Sequence, residues 1–146
     1  MADEPHYSES PFLDFIETEL VEWRDGYVRI KLELKLHHLN RAGVVHGGLL
    51  SALMDHGGGF CGLYCSVPGN RRYGMTLSLT CNFLAQSRTG TLFVTGERVT
   101  GGAKIYFSRT QVETDGGLVV ATGTSVHRYR SGSESPEGVP ARTADA

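Results

Sequence analysis

With 146 residues, 40% of them hydrophobic and 21% charged, the chain has the size and apolar content of one folded domain. A formal net charge of -2 gives no global field that would hold it on nucleic acid or an anionic membrane, so any phosphate recognition is expected to be local. Cys61, Cys65 and Cys81 lack Cys-x-x-Cys spacing and follow no secretory signal, which predicts reduced thiols and a cytoplasmic setting.

In chain order, residues 1–11 are polar and acidic and are expected to be a flexible segment ahead of a domain spanning 12–130. Two strands are predicted at 15–23 and 27–36, joined at Asp25-Gly26, a dipeptide suited to a tight hairpin. The segment from Val45 to about Val67 carries apolar residues on nearly all sides and predicts one long buried helix. Asp55, His56 and the glycines within it argue against a membrane span. Gly57, Gly58 and Gly59 each cost a helix about 0.8 to 1 kcal/mol relative to alanine, and close packing against a sheet would be a reason to keep them. Met75, Leu77, Leu79, Cys81 and Phe83 then alternate with Thr76, Ser78, Thr80 and Asn82, the period of a half-buried strand. Further strands are predicted at 91–100, 104–114 and 118–128, separated by Gly101-Gly102 and Asp115-Gly116-Gly117. Ser, Gly, Pro and Glu dominate 131–146, which reads as a disordered tail. The plan is α+β, one helix serving a six-stranded antiparallel sheet, and such a sheet leaves edges that a second copy would cover.

Polar residues gather where the helix begins, in the run His38-Leu39-Asn40-Arg41-Ala42-Gly43-Val44-Val45-His46-Gly47-Gly48. A helix N-terminus leaves backbone N–H groups unpaired and carries partial positive charge, so Gly47 and Gly48 would let a substrate carbonyl approach bare donors. Asp55 is the one carboxylate between Glu33 and Glu97, in an otherwise apolar helix. Three readings stay open for it: pairing with Arg71 or Arg72, a solvent-facing position, or general-base or nucleophilic chemistry. Eight residues separate Gly47 from Asp55, about 12 Å along a helix axis. If both act on one carbonyl, they must come from different subunits, which places the site at a dimer interface. His37, His38, His46 and His56 lack helical metal-ligand spacing, so no metal is expected. Ser51 lacks a nucleophile elbow, and Cys61 and Cys65, one turn apart, read as small core residues.

These residues, in this order, resemble the hotdog-fold thioesterases of the phenylacetate-pathway type. The likeness runs from about Phe12 to Tyr129, and its most specific part is His38-x-Asn40-x-x-Gly43-x-x-His46-Gly47-Gly48 followed by Asp55. The resemblance implies a helix wrapped by an antiparallel sheet, a homodimer as the active unit, and dimers paired into tetramers. It implies that Asp55 activates water or attacks the thioester, and that the Gly47 N–H, oriented near His46, polarises the carbonyl. Asn40 would help place the water or thioester, with Thr76 as an assisting hydroxyl. The phosphates of coenzyme A would lie near the turn Gly101-Gly102-Ala103-Lys104, with Lys104 supplying charge where the family often shows Gly-Arg. The expected activity is hydrolysis of an acyl-CoA or aryl-CoA thioester without cofactor. The rivals are a hydratase or dehydratase on the same fold and a non-catalytic acyl-CoA binding protein. Tyr64, Phe60, Met75 and Phe83 are candidates to line the acyl pocket.

Overall fold

The computed structural model of the protein describes residues 10–142. A short helix α1 (Pro11–Phe15) opens them, capped by Ser10 with proline in its first turn, so the expected first strand begins later, as β1 (Thr18–Arg24). β1 turns through Asp25-Gly26, where Gly26 takes φ +78°, into β2 (Tyr27–Glu33). The helix α2 spans Gly47–Phe60 and is followed by β4 (Gly74–Phe83), β5 (Thr91–Gly101), β6 (Ile105–Thr114) and β7 (Val119–Tyr129). These strands form a six-stranded antiparallel sheet in the order β1-β2-β5-β6-β7-β4. A two-residue pair, β3 (Asn70–Arg71) with β8 (Val139–Pro140), lies apart from it.

α2 ends seven residues before the expected Val67, because Gly62 passes directly against the Tyr106 ring and Pro68 and Gly69 follow. Side chains of the sheet bind the carbonyls of this last turn, of which those of Gly59 and Phe60 also accept the Gly62 and Leu63 amides. Ser108 donates to the Gly58 carbonyl (2.7 Å), Tyr106 to that of Gly59 (2.7 Å), and the Trp23 indole to that of Phe60 (2.8 Å). The glycines make this approach possible. A Cβ on Gly58 would collide with the Ser125 hydroxyl, and one on Gly96 of β5 would collide with the Gly57 carbonyl. Towards its N-terminal half, α2 buries Leu49, Leu50, Leu53 and Met54 against Val28, Ile30, Leu92, Val94 and Val112, each such side chain stabilising the fold by about 1.5 to 3 kcal/mol. Its remaining face is more open: Gly48 is exposed, and Ser51, Ala52, Asp55 and Gly59 are half-buried at helical spacing.

Two further expectations are corrected. Alternation places Met75, Leu77 and Phe83 on a half-buried face of β4, yet all three are exposed, whereas Leu79 and Cys81 face the helix. β4 is an edge strand, and its register with β7 shifts between Thr76 and Ser78. This bulge leaves Leu77 as the extra residue and turns Thr76 to the helix side. The tail is also ordered further than its composition indicates. Of the expected 131–146, residues 131–142 are described and packed, while 143–146, like 1–9 of the N-terminal segment, lie outside the described residues. Buried Arg72 holds the tail by donating to the carbonyls of Ser133 (3.0 Å) and Glu134 (3.2 Å), with its guanidinium 4.1 Å over the Tyr129 ring.

Candidate active site

The approach to α2 is built by its polar residues. His38 is buried: its Nδ1 accepts from the Lys35 amide (3.0 Å), so its Nε2–H donates to the Ile16 carbonyl (2.9 Å). Asn40 Oδ1 accepts from the amides of Ala42 (2.9 Å) and Val44 (3.3 Å), and Gly43 closes this turn at φ +74°. Asn40 therefore spends its carbonyl oxygen shaping the loop, and its amide N–H groups are what it can offer a ligand. The His46 amide donates back to the His38 carbonyl (2.9 Å), which fixes where the helix starts.

His46 caps that helix: its Nδ1 accepts the Gly48 N–H at 2.8 Å. Of the two amides expected to face a substrate, Gly48 is thus committed to the cap. Gly47, the first helical residue, keeps an N–H for which the described residues supply no acceptor.

Eight residues on, Asp55 accepts a 2.6 Å hydrogen bond from the Thr76 hydroxyl. The same oxygen lies 3.2 Å from Nδ1 of His127, whose Nε2 lies 2.7 Å from the Ser125 hydroxyl. An ionised carboxylate only accepts, so Thr76 gives its one proton to Asp55. His127 must then carry its proton on Nδ1, and Ser125 donates to Nε2. The result is a directed chain, Ser125 to His127 to Thr76 to Asp55, ending on the carboxylate. Burial holds His127 below the usual histidine range, against a smaller opposing pull from Asp55. The neutral imidazole that the chain requires is the favoured form. No cation stands within ion-pair distance of Asp55 among the described residues, and Arg72 is occupied by backbone carbonyls, so salt-bridge pairing does not explain this carboxylate. His127 and Ser125 escape sequence reasoning, although a polar Ser-x-His pair on the inward parity of β7 is a signal that could have found them.

Asp55 and Thr76 border a cavity of about 150 Å³ with His56, Phe60, Leu63, Met75, Tyr106 and His127. Of the residues expected to line an acyl pocket, Phe60 and Met75 border this cavity. Phe83 instead stands beside Gly47, with ring carbons 3.7 Å from where a Cβ on that residue would be. Tyr64 packs edge-on to Trp23. Gly47 and Asp55 thus sit near opposite ends of β4 and are not brought together within one chain. Gly101, Gly102 and Lys104 form the exposed β5–β6 turn, whose link to the cavity is Tyr106, paired with Gly101 across the strands. Glu17, His37 and His38 also approach one another, but both ring nitrogens of His38 are taken by backbone groups.

His56, beside Asp55 on the buried side of α2, is driven down to about 3 by desolvation, and burial lowers His38 in the same direction. Once unfolded, these histidines take up protons near pH 6.5, so the folded state binds fewer protons below that value. Stability is expected to fall as pH drops from about 6.5, with His56 contributing about 1.4 kcal/mol per pH unit until about 3. Thermal melting of His56→Phe between pH 7 and about 4 should show a shallower fall than wild type; an equal slope would count against this assignment.

A family model for the thioesterase superfamily matches residues 42–121, more than half of the chain, from the turn before α2 into β7. The chain belongs to this superfamily, and its fold is the hotdog fold. A candidate esterase of Schizosaccharomyces pombe is 27% identical over 126 residues, covering 82% of this chain and 74% of that protein. The match to a candidate esterase of Archaeoglobus fulgidus, 31% identical, is confined to 49 residues, 34% of this chain, and spans about a third (32%) of that protein's length. Among solved structures, a hypothetical thioesterase protein of Streptococcus pneumoniae TIGR4, crystallised with coenzyme A, superposes with TM-score 0.68 at 25% identity, covering 78% of this chain and 86% of that one. The Escherichia coli PaaI protein, from the phenylacetic acid degradation operon, superposes with TM-score 0.76 over 87% of this chain and 89% of that one; at 18% identity it speaks for the fold alone.

Proposed function

We propose that this protein hydrolyses an acyl-CoA or aryl-CoA thioester to the free acid and coenzyme A. The observation that carries the reading is Asp55: a half-buried carboxylate, aimed by a 2.6 Å hydrogen bond from Thr76 on the open face of a helix, with no cation beside it and no acceptor for the helix's first amide among the described residues. Asp55 takes the proton of an attacking water, or attacks the carbonyl itself to form a mixed anhydride that water then cleaves, giving the free acid, restoring the carboxylate and supplying the proton. The Gly47 N–H stabilises the oxyanion that forms, and the proton ends on the departing thiolate. His127 positions Thr76 through its Nδ1. A hydratase would need its imidazole as a base against the acyl chain; of the two histidines that line the cavity, His127 spends both ring nitrogens behind the carboxylate and burial drives His56 down to about 3.

Because Gly47 and Asp55 are about 12 Å apart along one helix, the working unit is a homodimer in which Asp55 serves Gly47 of a second copy. The exposed β4 edge, with Met75, Leu77 and Phe83, and the small residues Gly48, Ser51, Ala52 and Gly59 on the open face of α2 support this pairing. Exposed Val99, Ile105 and Phe107 offer a second interface through which dimers pair. Lys104 would meet a phosphate of coenzyme A, an assignment consistent with the coenzyme A held by the Streptococcus pneumoniae thioesterase. No helix among the described residues is long and apolar enough to cross a membrane, and Cys61, Cys65 and Cys81 are free, in keeping with a cytoplasmic setting. The test is release of coenzyme A thiol, followed with a thiol reagent, across aromatic, short, medium and long acyl esters. Turnover with at least one of them is expected, and binding without release from any would favour a non-catalytic binder.

A further inference from the structure

Resting on the hydrolysis reading, we propose that Arg72 is a positioning residue: with the C-terminal strap, residues 131–142, it holds the strand entry that aims the Thr76 hydroxyl at Asp55. Within one chain the sheet holds Thr76 from one side only, because β4 is an edge strand. Its register with β7 slips immediately after Thr76, so the bulge at Leu77 parts Gly74, Met75 and Thr76 from the rest of the strand. Pairing with Tyr129, Arg128 and His127 sets the height of these three residues in the sheet. How the chain enters that register is decided at Arg72 and Tyr73, directly before Gly74.

The strap grips both of those residues. Arg72, 8% exposed, donates from Nε to the Ser133 carbonyl (3.0 Å) and from Nη2 to that of Glu134 (3.2 Å). Its Nη1 turns the other way, to the carbonyl of Gly62 just past the end of α2 (3.4 Å). Tyr73 gives its N–H to the hydroxyl of fully buried Ser133 (2.9 Å), and its carbonyl accepts the Arg130 N–H (2.8 Å). Further out, Asn70 donates to the Glu137 carbonyl (2.8 Å), Ala141 to that of Gly69 (2.9 Å), and β8 pairs with β3. Arg72 therefore joins three parts: the end of the helix that carries Asp55, the entry to the strand that carries Thr76, and the strap.

A guanidinium is costly to bury unless its N–H groups find acceptors. Two of the three carbonyls on Arg72 belong to the strap. Without them the charge must turn to water, and Tyr73 loses the acceptor of its N–H at the same time. Both moves displace the residues that lead into Thr76. Asp55 is held independently, since Leu53 and Met54 beside it are fully buried in the core. Releasing the strap thus parts the hydroxyl from the carboxylate while α2 stays in place.

The experiment releases the strap in the full chain from two ends, each variant being assayed below its melting temperature. Arg72→Met keeps much of the stem and removes the donors. Gly138→Val acts where φ is +65° and a Cβ would collide with the Arg71 carbonyl, so the full strap remains but cannot seat. In both, kcat for thiol release is expected to fall by about 10- to 10²-fold while KM stays within about twofold, because aim is lost and substrate binding is not. Arg72→Lys, which can reach one strap carbonyl at a time, should fall between wild type and Arg72→Met. The decisive reading is non-additivity: in Thr76→Val, which keeps Asp55 without its hydroxyl, adding either change should alter kcat by less than about twofold. A wild-type kcat in both variants, or a full further loss on top of Thr76→Val, overturns the inference, for the strap would then serve stability alone or act on another group. Hydrogen exchange reads the clamp without turnover. Amides of 62–76 should exchange faster in Gly138→Val with β5 and β6 unchanged, and unaltered exchange over 62–76 overturns the inference as well. If the wild type releases thiol from no ester, the hydrolysis reading falls and the exchange result alone decides the clamp.

Discussion

Asp55→Asn is expected to melt at or above the wild-type temperature while losing a factor of about 10² to 10⁴ in kcat. Asparagine keeps the shape, and its Oδ1 still accepts from the Thr76 hydroxyl, so the chain from Ser125 through His127 stays connected. What disappears is a negative charge held in a largely apolar helix without a cation, and its loss relieves rather than strains the fold. Chemistry suffers because an amide neither takes a proton from water nor attacks a thioester. Thiol release and thermal melting, read together, check this. A kcat within threefold of wild type would remove Asp55 from the mechanism.

The second large effect is expected at Gly47. A backbone donor is usually beyond the reach of substitution, but Gly47 is the first residue of α2, where proline is favoured and its missing N–H costs the helix nothing. His46 before it already has φ -66° and ψ 131°, the extended conformation that a following proline demands. A Cβ there meets Phe83 at an ordinary 3.7 Å. Gly47→Pro should leave α2 and the fold intact and lower kcat by about 10² to 10³, the usual effect of one missing oxyanion donor. Gly47→Ala, which keeps the N–H, is the matched control and should remain active. Equal activity of the two variants would show that this amide does not serve the oxyanion.

Much of this architecture can be read from the residues. Asp25-Gly26, Gly101-Gly102 and Asp115-Gly116-Gly117 mark the hairpins, and the buried run after Gly48 marks the helix. What stays hidden has physical causes. β6 and β7 turn Tyr106, Ser108 and Thr110, and Gly123, Ser125 and His127, inward, while Ile105 and Phe107 face out. This parity makes sense only once the Gly57-Gly58-Gly59 backbone lies against the sheet and its carbonyls need donors. Hydropathy alone points the other way, which is why His127 goes unnoticed. Thr76 shows the same limit. Strict alternation sets it on the face opposite Leu79, and only the bulge at Leu77 brings its hydroxyl to Asp55. The tail misleads because its anchor is Arg72 reaching backbone carbonyls, an interaction that leaves no trace in the composition of 131–142.

The central claim, that Asp55 of one chain works with Gly47 of another, is tested by co-expressing Asp55→Asn and Gly47→Pro chains with different affinity tags and assaying the doubly purified heterodimer. Each parent homodimer is expected to be nearly inactive. A heterodimer whose sites are shared between chains holds one site with both groups intact and one with neither, and should recover about half of the wild-type thiol release per dimer. If each chain completed its own site, both sites of the heterodimer would remain broken. Activity no higher than that of the parents would contradict the account.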